Sequence, residues 1–188
     1  MKERKLNRLK EYDYSQSGYY FVTICTKDRE ECFGKIEDGR MVLNNYGEIA
    51  KDFWSEIPLH FERVKIDEFK IMPNHVHGIL IIEDNRVGNA YMRSLRDRTK
   101  MLLSKIVQQY KSSVTRKINS IQNEFNFGWQ KSFYDHVIRN ERSLDNLRQY
   151  TQNNPLKWEL DIENRKNVQV SHAKSYRDYY KEIVEGCR

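Results

Sequence analysis

The stretch FKIMPNHVHGILII, residues 69–82, decides the fold. An apolar, β-branched run ends at Met72, and another begins at His75, with Pro73-Asn74 between them. Proline supplies no ladder donor and biases its predecessor to extended backbone, so this dipeptide reads as a turn. VKIDEFKIM (64–72) and HVHGILII (75–82) are then two strands folded back antiparallel on one another. The second carries His75 and His77 one residue apart. Side chains at i and i+2 of a strand point the same way, about 7 Å apart along it, while Val76 points into the covered face.

Working outward, GYYFVTICT (18–26) is a further strand, rich in aromatic and β-branched residues. FGKIEDGRMVLN (33–44) reads as a small hairpin turning at Asp38-Gly39. In NNYGEIAKDFWSEIP (44–58) the apolar positions Ile49, Ala50, Phe53, Trp54 and Ile57 keep helical rhythm up to Pro58. A long amphipathic helix is expected from about Ser94 to Ile118, with Leu95, Leu102, Ile106, Tyr110 and Val114 on its apolar face and basic residues around the rest. FGWQKSFYDHVI (127–138) gives a loop and a strand, and SLDNLRQYTQN (143–153) a last helix, capped by Ser or Asn and stopped by Asn153-Asn154-Pro155. The order β-α-β-β-α-β plus a helix predicts an α+β, ferredoxin-like sandwich: an antiparallel sheet, two covering helices and a C-terminal helix. Two parts are expected, a domain over 1–158 and a basic, aromatic extension over 159–188 that includes Tyr176, Arg177, Tyr179, Tyr180 and Lys181.

Bulk properties exclude more than they select. The chain has 188 residues, 38% apolar and 32% charged, which fits one globular domain rather than a disordered segment. No apolar run is long enough to span a membrane, and residues 1–15 lack the apolar core of a signal peptide, so cytoplasm is the expected location. Cys25, Cys32 and Cys187 form no C-x-x-C pair and read as free thiols. A net charge of +6 becomes informative only where cations cluster beside flat rings, as single-stranded nucleic acid requires.

Two imidazoles make an incomplete metal site. Nitrogen donors suit zinc, manganese, copper or nickel, and magnesium less well. With no cysteine or second histidine cluster nearby, an open site fits better, completed by water, a side-chain oxygen and a substrate phosphate. Tyr150 and Asn154 lie four apart and share a face if the last helical turn persists. Asn154 is expected just past the helix end, where its carboxamide oxygen could be a third ligand and Tyr150 could bring its phenol to the same ion. The steps Leu144, Leu147, Tyr150 equally describe an apolar stripe, and spacing alone does not choose among the 12 tyrosines.

MPNHVHGI (72–79) together with WQKSFYDHVIRNERSLDNLRQYTQNNPLKW (129–158) resembles the single-tyrosine HUH transposases of the IS200-like superfamily, most of all the branch associated with repetitive extragenic palindromes (REP). GYYFVTICTKDRE, Phe33-Gly34 and NNYGEIAKDFW add to the resemblance, which runs from about Arg8 to Trp158. It implies a Mg²⁺- or Mn²⁺-dependent endonuclease and strand transferase acting on single-stranded DNA that bears a hairpin. His75, His77 and Asn154 match its metal ligands. Tyr150 matches the nucleophile that forms a 5′-phosphotyrosine link and frees a 3′-hydroxyl. Relatives act as monomers or homodimers. A domesticated hairpin-binding protein that no longer cuts is the alternative, with a replication or conjugation nuclease and a small basic metal-binding domain further off. For the DNA path the expected contacts are Arg8, Lys10, Arg139, Arg142 and the basic face of the long helix, with Trp129 or Tyr134 stacking on a base.

Overall fold

The computed structural model of the chain describes residues 16–84, 102–121, 126–164 and 176–186. Among the described residues the elements follow in order: β1 (Gly18–Cys25), β2 (Gly34–Glu37), β3 (Arg40–Leu43), α1 (Asn45–Ser55), α2 (Ile57–His60), β4 (Val64–Ile71), β5 (His75–Ile82), α3 (Leu102–Ile121), β6 (Tyr134–Ile138), α4 (Glu141–Asn153) and α5 (Tyr176–Glu185). The main sheet runs β4-β5-β1-β6 with antiparallel neighbours throughout, the ferredoxin-like order. Strands β2 and β3 form the separate hairpin. Its turn residues Asp38 and Gly39 have φ of 48° and 70°, the mirror-image turn that suits strand twist and that a glycine adopts without strain.

The sheet is buried on both faces, and strand alternation sorts its side chains. Tyr20, Val22 and Ile24 of β1, with Val76, Leu80 and Ile82 of β5, meet Ile49, Ala50 and Trp54 of α1 and Leu103, Ile106, Tyr110 and Val114 of α3. The sheet closes against Trp54 at Gly78, where a Cβ would come within 2.9 Å of the indole and 2.6 Å of Phe69. On the opposite face, Phe21 and Ile79 pack with Leu144 and Leu147 of α4 and with Tyr179, Tyr180 and Ile183 of α5. Helix α5 was not expected from the sequence, nor was the short α2, which Pro58 enters rather than ends: Tyr179 and Tyr180 are buried against the sheet, while Lys181 stays exposed. Of the long helix, the described part begins at Leu102 and extends three residues past Ile118; the expected start near Ser94 lies outside the described residues.

Helix α4 is placed by three devices. Asn140 accepts from the Ser143 N–H at 2.9 Å and caps its start, a bond of about 1 kcal/mol. Leu144 and Leu147 bury completely. Arg148 grips Asp67 of β4 with two bonds, Nε to Oδ1 at 2.9 Å and Nη2 to Oδ2 at 2.6 Å. Asp67 sits in a register shift of the β4–β5 ladder, between Ile66 and Phe69. Past α4 the chain does not leave the helical region as Pro155 suggested. Asn154 keeps φ −57° and ψ −40°, and a 3-10 run continues over Asn154–Leu160, because proline fits the first turn of a new helical segment.

Candidate active site

His75 and His77 sit on the α4–α5 face of β5 and are fully buried, with ring centroids 5.0 Å apart. Across the ladder they pair with Cys25 and Thr23 of β1. Burial keeps both imidazoles neutral: His75 is pushed down to about 3, with Arg29 a lesser cause, and His77 falls well below its ordinary range, helped by His75. The turn before them fixes their tautomers. Asn74 donates its Nδ2 to the Glu163 carbonyl at 2.8 Å and the Arg29 carbonyl at 3.3 Å, so its Oδ1 must accept from His75 Nδ1 at 2.9 Å. His75 Nε2 is then the acceptor that faces His77 Nδ1 at 3.3 Å, and His77 Nε2 carries the remaining lone pair.

Helix α4 brings Tyr150 over this pair, with ring centroids 5.2 Å apart for His77 and 6.1 Å for Phe21. Its hydroxyl donates to Asp161 Oδ2 at 2.9 Å, and Asn154 Nδ2 donates to the same oxygen. Burial, and then the Asp161 carboxylate, hold the Tyr150 phenol well above its usual value. Tyr150 and Asn154 border a cleft of about 540 Å³ shared with Gln149, Asn153, Lys157 and Tyr179, which gives the buried histidines a neighbour open to solvent.

A buried polar atom without a partner costs on the order of 1–3 kcal/mol, so each needs a reason. His77 Nε2 and Asn154 Oδ1 are among the buried side-chain atoms of the described residues that have no hydrogen-bond partner, as are Trp54 Nε1 and Thr151 Oγ1 elsewhere. The first two belong to the side chains that the resemblance marks as ligands. No cluster of three or more His, Cys, Asp or Glu residues suited to a metal occurs among the described residues. The donor set here is instead two neutral imidazoles and a carboxamide oxygen. Such a set fits a divalent cation that keeps open positions, and buried, already neutral nitrogens have no proton to shed before binding.

Behind the histidines lies a second group that sequence reasoning did not find. Glu163 is fully buried, receives Arg29 Nε at 2.9 Å and the Cys25 thiol at 3.2 Å, and is raised to about 7 chiefly by burial. Asp161 Oδ1 accepts from the Glu163 N–H at 2.6 Å, tying both carboxylates to one tight turn. These residues belong to the segment expected as an extension from 159, and that segment packs into the site. The signal available was weak: two acidic residues two apart in a polar stretch. Cys25, taken only as a free thiol, proves to lie opposite His75 on the same face.

The expected DNA contacts divide three ways. Arg8 and Lys10 lie outside the described residues. Arg139 and Arg142 are exposed at the start of α4. The two rings expected to stack on bases make ring contacts within the protein. Trp129 packs against Phe33, Tyr110 and Phe127 and donates its indole N–H to the Lys111 carbonyl at 3.2 Å. Tyr134 is stacked face to face by Tyr180 at 4.4 Å. Both rings pack inward because they lie alongside β1, the strand buried between β5 and β6.

Sheet order, the two-histidine strand and the tyrosine helix define a transposase-like α+β domain. The chain belongs to the IS200-like transposase family, whose model, described as "Transposase IS200 like", matches residues 14–154. It is 39% identical over 165 residues to an uncharacterized protein of Haemophilus influenzae, covering 84% of this chain and 91% of that one. A second protein of that organism, provisionally named a REP-associated tyrosine transposase, is 27% identical over 149 residues, covering 77% of this chain and 74% of that one. A solved REP-associated tyrosine transposase bound to a REP hairpin shares the fold, with a TM-score of 0.51 at 19% identity over 80% of this chain and 73% of that one. No helix among the described residues is long and apolar enough to cross a membrane.

Proposed function

We propose that this transposase-family chain is a divalent-cation-dependent endonuclease and strand transferase for single-stranded DNA bearing a hairpin, with Tyr150 as nucleophile. The observation that carries this reading is the Tyr150 phenol, its ring centroid 5.2 Å from that of His77 in the buried His75–His77 pair, with Asn154 bonded to the same Asp161 oxygen as that phenol. His75, His77 and Asn154 would hold the cation, Mg²⁺ or Mn²⁺, which supplies charge stabilisation at a phosphate. Asn74 keeps the His75 proton on Nδ1, so its Nε2 keeps a lone pair that a cation would take over from the contact with His77 Nδ1.

The phenol oxygen bonds to phosphorus at the 5′ side of the cut as the bond from phosphorus to the 3′ oxygen breaks. The phenol proton ends, in the balance, on the departing 3′-hydroxyl. A phosphodiester has been exchanged for a phosphotyrosine ester of similar energy, so the strand can be rejoined without a nucleotide cofactor. The rate then depends on positioning and on stabilising charge. The hairpin part of the reading leans on the solved relative named for its REP hairpin. Arg40, Lys51 and Lys70, which line a second cleft of about 690 Å³ beyond Pro155, offer cations to a strand's phosphates.

An oligonucleotide with a hairpin and a single-stranded tail, incubated with Mn²⁺, should yield a denaturant-stable protein–DNA adduct. His75→Ala combined with His77→Ala should abolish the adduct while hairpin affinity changes less than threefold. Undiminished adduct in that double variant would remove the cation site from the reading. Hairpin binding with no adduct in the wild type would leave a protein that binds hairpins without cutting.

A further inference from the structure

Asp161 lies beyond the residues matched by the family model, yet it is the group that joins the two halves of the site. One of its carboxylate oxygens, Oδ2, accepts both the Tyr150 hydroxyl and the Asn154 Nδ2. The other, Oδ1, is pinned by the Glu163 N–H at 2.6 Å, so the carboxylate itself cannot turn. It is 1% exposed, held in the tight turn that follows the 3-10 run. A carboxamide is planar, so fixing its nitrogen on one acceptor also fixes where its oxygen lies. Here that oxygen is Asn154 Oδ1, buried and without a hydrogen-bond partner among the described residues.

We infer that Asp161 is a positioning residue: it sets the Asn154 amide so that its oxygen faces the cation site, and it fixes the Tyr150 phenol beside it. This rests on the proposed function above. The inference is specific about the chain of action. Asp161 acts on cation affinity through Asn154 alone, and on strand cleavage through Tyr150 as well. Outer residues that orient a ligand typically change metal affinity by about 10–100-fold.

The experiment is Mn²⁺ titration calorimetry on the metal-free full chain, free of DNA, for the wild type, Asp161→Ala, Asn154→Ala and the pair together. The expected result is an affinity loss of about tenfold for Asp161→Ala, and a double variant no weaker than Asn154→Ala, since one acts through the other. Tyr150→Phe should leave the affinity unchanged. Asp161→Asn keeps the shape of the side chain but cannot accept on both oxygens. It should show the same loss less strongly, and it stands in if Asp161→Ala fails to fold by circular dichroism. Under saturating Mn²⁺, Asp161→Ala should still form the hairpin-oligonucleotide adduct at least tenfold more slowly. Unchanged Mn²⁺ affinity in both Asp161 variants would overturn the inference, as would losses that add in the double variant. A faster adduct would make the contact a clamp on the phenol and overturn it too. Absence of Mn²⁺ uptake by the wild type would overturn the underlying reading itself, an outcome separate from wild-type uptake with Asp161 indifferent.

Discussion

Imidazoles sealed inside a sheet are held there uncharged, and His75 and His77 are such a pair. At an ordinary histidine, near 6.5, protons would compete with a cation for the ring nitrogen just below neutrality. His75 is held to about 3, mainly by burial, and His77 is also depressed. The direction fixes the pH dependence. For a base whose folded value is lowered, the unfolded chain takes up protons first, so its contribution to stability is complete above about pH 6.5 and lost as pH falls toward the folded value. In the metal-free protein, NMR of the two ring Cε1–H signals should be flat from pH 8 to pH 5. A midpoint near 6.5 for either ring would mean that it is open to water, contrary to the buried pair described here. At this scale the sequence disclosed which residues mattered but not what holds them. His-x-His on a strand fixes the shared face by period alone. Asn74, Asp161 and Glu163 could not be singled out, because their roles arise from a turn and a returning segment that no local spacing encodes.

Elements carry these residues to each other, and α4 carries most. Its Leu144–Leu147–Tyr150 steps read from the sequence as either core or catalysis, and the packing is compatible with both. Two leucines bury the helix, and the tyrosine, at the rim of the same cluster, has its ring centroid 5.2 Å from that of His77. The α-helix stops at Asn153, as the sequence indicated, but Asn154 does not take the extended backbone expected before proline: it enters a 3-10 turn, which keeps it aligned with Tyr150. The Arg148–Asp67 pair locks α4 to β4, and Arg148 holds the Asp67 carboxyl below its usual range. Arg148→Ala should lower stability by about 1 kcal/mol, a modest figure because the guanidinium is partly exposed and screened. Denaturant titration would measure it. Because the Asp67 value is lowered in the folded state, the loss should be complete above about pH 4 and fade as pH falls below it. A loss unchanged at pH 3 would place the effect in packing rather than in the ion pair.

Over the whole molecule, the strand order and the hairpin followed from alternation, turn residues and helical rhythm, all local signals. The second buried face did not. Residues 159–188 looked like a polar extension, since Tyr179, Tyr180 and Ile183 are few among many charges and their helix gains its stability only by packing on Phe21 and α4. The same ambiguity hid the fates of Trp129 and Tyr134, whose rings would suit a base as well as a core. A sheet covered on both sides confines the chemistry to one edge of the α4 layer, where the cleft beside Tyr150 reaches solvent. The central claim is that this phenol, among 12 tyrosines, attacks the DNA. Peptide mass spectrometry of the wild type, after incubation with Mn²⁺ and a hairpin-tailed oligonucleotide, tests it most directly. A nucleotide adduct on the peptide containing Tyr150, absent from Tyr150→Phe, is the predicted result; an adduct on another residue, or one that survives Tyr150→Phe, would contradict it.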